Sequence, residues 1–126
     1  MAHAPRDEER GRLIDSSAAG FARAMTVSCH SFAALARACE PHLSDDAALM
    51  TMSYLGADEA IPHYGLMEPV KAALESLVRY MALELGEKNI RVHAISPGPI
   101  LTRAASGISQ FDELMQHAID KSPLHR

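Results

Sequence analysis

The seven glycines of this chain, at positions 11, 20, 56, 65, 86, 98 and 107, never stand closer than nine residues apart. A phosphate cradle needs several of them within a few residues, so that backbone amides at a helix N-terminus can close on a pyrophosphate. GxGxxG and P-loop motifs are therefore excluded. The histidines, at 3, 30, 42, 63, 93, 117 and 125, show no pairing at three- or four-residue spacing, and no metal is assigned. Only two cysteines are present, Cys29 and Cys39, in an apolar stretch with neither CxxC spacing nor a signal peptide upstream. They read as buried reduced thiols. No apolar run approaches the roughly 20 residues that cross a bilayer. With a formal net charge of -4 and dispersed Lys and Arg, neither a nucleic-acid groove nor a site for an anionic membrane is expected. Repeats and low-complexity segments are absent as well. These absences predict a cytoplasmic globular protein without nucleic-acid or membrane partners.

What is there is ordinary core-forming material, 48% hydrophobic and 22% charged, enough for one small domain over 1–126. Residues 1–17 read as a strand end and a loop that closes in a helix-capping polar cluster. Phe21, Met25, Val27, Phe32, Leu35 and Ala36 recur at three- and four-residue steps, which predicts a long buried helix over 18–40 that stops before Pro41. AALMTMS (47–53) is a short apolar run of the kind found in fully covered parallel strands, with Met50 and Met52 as core filling. A second long helix is predicted over 64–85 from Val70, Leu74, Leu77, Val78, Met81 and Leu85, with Pro69 near its first turn and Gly86 as its cap. IRVHAIS (90–96) reads as another strand, Pro97, Gly98 and Pro99 force a loop, and 110–121 reads as a short helix. This alternation is a piece of a doubly wound α/β sheet. It has too few strands to be whole, so it is expected to be a fragment or to pair with another chain.

Tyr54, just after the first strand, leaves from the end where open α/β sheets form their binding crevice. Tyr64 is expected at the start of the next helix, with Lys71 seven residues along the same face and about 10.5 Å further along the axis. That separation lets Lys71 approach a ligand on this face without touching the Tyr64 hydroxyl. Spacing alone leaves open that these are scattered half-buried and surface groups. His63 reads as a capping or solvent group, and Glu68, Glu75, Glu84 and Glu87 as a solvated helix face.

MSYLGADEAIPHYGLMEPVK (52–71), followed by ALESLVRYMALELG and IRVHAISPGPILTRAASG, resembles the enoyl-acyl-carrier-protein reductases of the short-chain dehydrogenase/reductase superfamily. The resemblance runs from about Ala4 to Arg126 and is most specific in Tyr-x9-Tyr-x6-Lys and SPGPIxTxAASGI. It implies a partial Rossmann-like fold, lacking the N-terminal βαβ half, and NADH-dependent reduction of trans-2-enoyl thioesters in fatty-acid synthesis. The superfamily at large has lysine four residues after its active tyrosine; here that position is Glu68, which points away from alcohol dehydrogenation and towards double-bond reduction. By resemblance, Tyr64 donates to the thioester oxygen, Tyr54 lines the pocket as a second donor or gate, and Lys71 holds the nicotinamide ribose. Pro99, Ile100 and Thr102 match the loop that meets the carboxamide, although a Pro-Gly turn is also simply a way to leave a strand. Ala104 to Ile108 match the start of a mobile substrate-binding segment, with Met67 and Ala105 near the acyl chain. The implied partners are an acyl-carrier-protein-linked enoyl substrate and a second copy of the chain, packed through helices 18–40 and 64–86. The implied cofactor is NADH, but its glycine cradle is outside this sequence, so the chain alone is expected to be an incomplete site. The alternatives are an inactive truncated fragment or assembly module, or a short-chain reductase acting on another alkene or carbonyl.

Overall fold

The computed structural model describes residues 12–62, 64–99 and 111–124. After a 3-10 turn at Leu13–Asp15, α1 (Ala18–Met25) begins at Ser17, whose hydroxyl accepts the Gly20 amide at 3.0 Å. This is the polar cap that the sequence suggests, and it satisfies one of the helix's orphan donors. α1 runs through a π turn at Thr26–His30 into α2 (Ser31–Cys39), so the expected helix over 18–40 is present with an interruption, but it is not buried as expected: Phe21, Val27 and Leu35 lie on its exposed side. The wider π turn brings consecutive residues, Ser28 and Cys29, to the buried side together. Thr26 opens it and Ser31 follows it, each donating its hydroxyl back to the carbonyl four residues earlier. Cys29 is buried as expected, whereas Cys39 is only half-buried; both are free thiols.

β1 (Ala48–Met52) and β2 (Arg91–Ile95) pair in parallel, with Ala48 opposite Arg91 and Met52 opposite Ile95. Between them runs α3 (Met67–Gly86), which packs on β2 and on the π turn. Its buried residues, Met67, Val70, Lys71, Leu74, Val78, Met81 and Leu85, fall on one face at three- and four-residue steps and meet Phe32, Ala36 and Val92 in the core. Complete burial of a side chain such as Leu74 is worth about 1.5–3 kcal/mol. α4 (Phe111–Lys121) follows the second strand.

Three further expectations need correction. Tyr64 is not on α3: the helix starts at Met67, and Tyr64 lies in the preceding turn with Gly65 at φ 57°. Gly86 is not the left-handed cap either. Asn89 takes that conformation at φ 57°, while the Ile90 amide returns to the Leu85 carbonyl at 3.2 Å and the Asn89 amide to that of Gly86 at 2.9 Å. The buried pair Leu85 and Ile90 then supplies the apolar contact of a Schellman ending. Finally, β1 is not fully covered, since Met50 and Met52 are 62% and 51% exposed. Among the described residues only one face of the sheet lies against a helix layer, so these methionines fill no core.

Candidate functional site

Past Met52 the chain keeps one more ladder contact, Ser53 amide to Ile95 carbonyl at 2.7 Å, and then leaves the sheet. Tyr54 stands at this exit and is followed by a 3-10 turn, Leu55–Ala57, held by the Ala57 amide on the Tyr54 carbonyl at 2.9 Å. The chain comes back through Ile61 to Leu66, where the Tyr64 amide donates to the Ile61 carbonyl at 3.2 Å. The two turns bring the tyrosine rings to 4.7 Å between centroids, tilted by 56°, a favourable aromatic arrangement.

Gly56 makes that approach possible. A Cβ built there would stand 2.7 Å from Tyr64 Cδ1, closer than packed carbons tolerate, and 3.3 Å from Glu68 Cγ, a tight contact. Glu68, half-buried rather than solvated, accepts the Ile61 amide and so ties the first turn of α3 to the loop that carries Tyr64. Burial raises the Tyr64 phenol well above its ordinary value, and the neighbouring Tyr54 and the Glu68 carboxylate push it further the same way. Burial also raises Tyr54. Both phenols therefore hold their protons at neutral pH and can act as hydrogen-bond donors.

Lys71 is 5% exposed, and its Nζ donates to the Met52 carbonyl at 2.6 Å, two residues before Tyr54. Burial lowers its pKa, against the opposing influence of Glu75 and then of the Cys29 thiol. Cys29 is raised by burial, with Lys71 acting the other way. Glu75, one turn beyond Lys71 and also half-buried, accepts the hydroxyl proton of buried Ser53. A cavity of about 360 Å³ lies between the π turn and β1, lined among others by Ser28, Ser31, Phe32, Thr51 and Lys71. It touches Lys71 but neither tyrosine.

The end of β1 thus gathers Tyr54, Tyr64 and Lys71, together with Ser53, Gly56 and Glu75, which sequence reasoning missed. Glu75 was legible in principle, being four residues from Lys71 and hence on its face. Met67 is buried in the core and Pro99 is half-buried. His63, Ile100, Thr102, Ala104, Ala105 and Ile108 lie outside the described residues. Glu84 and Glu87 are exposed, as a solvated face requires. Among the described residues no three His, Cys, Asp or Glu side chains could together hold a metal ion. None of the described helices is long and apolar enough to cross a membrane.

Residues 1–126 match the family described as Enoyl-(Acyl carrier protein) reductase. The enoyl-[acyl-carrier-protein] reductase [NADH] 1 of Rhizobium meliloti (strain 1021) is 44% identical over 126 residues, covering 100% of this chain and 46% of the relative. The crystal structure of the NADH enoyl-[acyl-carrier-protein] reductase from Aquifex aeolicus VF5 aligns at TM-score 0.91 and 42% identity, over 99% of this chain and 49% of that one. The reductase from Anaplasma phagocytophilum, solved in complex with NAD, aligns at TM-score 0.91 and 42% identity, over 99% and 48%. The chain spans about half the length of the curated relatives it matches.

Proposed function

The chain belongs to the Enoyl-(Acyl carrier protein) reductase family, and from that premise we propose that it carries the hydrogen-bond-donor and ribose-holding half of an NADH-dependent enoyl-thioester reductase. The substrate class is trans-2-enoyl groups on acyl-carrier protein, reduced in cytoplasmic fatty-acid synthesis. The observation that carries the proposal is the half-buried Tyr64 packed on Tyr54 at the exit of β1, with the Lys71 ammonium held beside the same strand end.

The donor set suits the ribose end of a dinucleotide: an ammonium has three donor directions, and the Met52 carbonyl takes one. The phosphate end would need closely spaced glycine amides, which this sequence does not contain. When bound, NADH supplies the hydride for the β-carbon of the conjugated thioester. Tyr64 then donates a hydrogen bond to the thioester oxygen, where negative charge develops, and its raised pKa keeps the donor proton in place. Tyr54 flanks it as a second donor or gate. Lys71 holds the ribose hydroxyls, while Pro99, Ile100 and Thr102 meet the carboxamide. Met67, Ala104, Ala105 and Ile108 approach the acyl chain.

The test is NADH oxidation on a crotonyl thioester by this chain supplied with the glycine-rich half of a relative. Turnover that falls about 100-fold or more on Tyr64→Phe, the cost of removing one oxyanion donor, supports the reading. Absence of NADH oxidation in the reconstituted protein sinks it.

We further infer a second copy of the chain as partner, through segments 18–40 and 64–86. Exposed apolar side chains on those segments, Phe21, Leu35, Tyr80 and Leu83, support it. A stable monodisperse monomer in sedimentation would count against it.

A further inference from the structure

Lys71 carries a charge on a four-carbon stem, and such a side chain has many rotamers to lose before it can meet a ligand in one place. What fixes it here is a single peptide unit. The unit between Met52 and Ser53 is planar, so its carbonyl and amide turn together. Its amide donates to the Ile95 carbonyl across the sheet at 2.7 Å, and its carbonyl accepts from Lys71 Nζ at 2.6 Å. The side chain next to it, that of buried Ser53, is held by the Glu75 carboxylate. Glu75 leaves α3 four residues after Lys71, on the same helical face, and so reaches the same strand end from one turn further on.

We propose that Glu75 is a positioning residue for Lys71: through Ser53 it locks the peptide plane that presents the Met52 carbonyl, and it supplies the countercharge that keeps the buried ammonium in place. This rests on the reading of Lys71 as the cation that holds the nicotinamide ribose. Glu75 makes no contact with substrate or cofactor in this scheme; it acts through Ser53 and Lys71. The charged and titratable groups that face Lys71 are Glu75 on its own helix and Cys29 on the π turn packed against it. Burial disfavours the ammonium, and Glu75 offsets that cost more than the thiol does.

The test compares the full chain with Glu75→Gln, which keeps the shape and a hydrogen-bond acceptor for Ser53 while removing the charge, and with Ser53→Ala, which keeps the charge and removes the anchor. The titration midpoint of Lys71 is read from its side-chain NMR signals, and the exchange rate of the backbone amide at position 53 is read in parallel. The expected results are a midpoint lower by about half a unit to one unit in Glu75→Gln, a smaller displacement in Ser53→Ala, and amide exchange about tenfold faster in Ser53→Ala. An unchanged Lys71 midpoint in Glu75→Gln overturns the proposal, because a merely structural glutamate would leave it where it is. Neither readout requires turnover. Loss of the enoyl-reductase reading through the crotonyl assay would therefore leave this result standing by itself.

Discussion

The two faces of the β1–β2 sheet both carry apolar residues and meet different fates. On the inner face Leu49, Thr51, Val92 and Ala94 are buried or half-buried on the helix side. On the outer face Ala48, Met50 and Met52 stand opposite Arg91, His93 and Ile95, and all six are exposed. A parallel strand is ordinarily covered on both sides, and its near-continuous apolar sequence is written for two covers. The described residues supply one. The polar groups of the site sit where the covered face ends, at Ser53, Tyr54 and Lys71, and there the buried ammonium finds a fixed partner in the Met52 carbonyl.

The strongest attack on this contrast is Leu74→Ala, at a fully buried position on the α3 face that packs into the core. Truncation should cost about 2–5 kcal/mol, seen as a large drop in the denaturant midpoint. A loss below about 1 kcal/mol would mean that this layer is no better packed than the outer face. The next largest effect is expected at Gly56→Val. With 2.7 Å between the new Cβ and Tyr64 Cδ1, the ring must move, at about 1–3 kcal/mol. Ring-to-ring NOEs between Tyr54 and Tyr64 should disappear; their survival would show that Gly56 does not set the approach.

The half-buried Tyr64 phenol makes a prediction about pH. Tyr64 is raised in the folded chain, so its contribution to stability is complete below its unfolded pKa of about 10 and is lost as pH climbs from there towards the folded value. Lys71, lowered by burial, acts the other way: the cost of its charge at neutral pH is relieved as pH rises through its folded value towards the unfolded one. Chemical denaturation across alkaline pH should therefore show stability falling above about pH 10, by up to about 1.4 kcal/mol per pH unit, and Tyr64→Phe should flatten that fall. An equal slope in both chains would place the Tyr64 hydroxyl in solvent.

The same contrast explains what could be read from the sequence. Apolar steps of three and four gave away α3, and the short apolar runs at 47–53 and 90–96 gave away the strands, because both patterns are local. The π turn at Thr26–His30 has no such pattern: it shows only in the packed chain, where Ser28 and Cys29 both reach the buried side. Tyr64 was displaced from the helix by Gly65, whose left-handed backbone closes the preceding turn, and Asn89 rather than Gly86 took the left-handed cap. Glu68 and Glu75 looked like solvated charges because their partners, the Ile61 amide and the Ser53 hydroxyl, are brought to them by the loop and by the strand end. For Tyr54, Tyr64 and Lys71, the sequence established only spacing; their meeting at one strand end depends on the return of the chain after Gly56.

The smallest expected effect is the sharpest test of the outer face. Met50→Thr and Met52→Thr keep β-compatible side chains while removing apolar area that already lies open to water. If that face is uncovered in the isolated chain, each change should alter unfolding free energy by no more than about 0.5 kcal/mol. The same substitutions should reduce concentration-dependent association in sedimentation, since Met50, Met52 and Ile95 are exposed apolar side chains on one face of the sheet. A destabilisation of about 1 kcal/mol or more at either methionine would instead mean that something covers the strip in solution, and the two faces would then differ in what covers them rather than in whether they are covered.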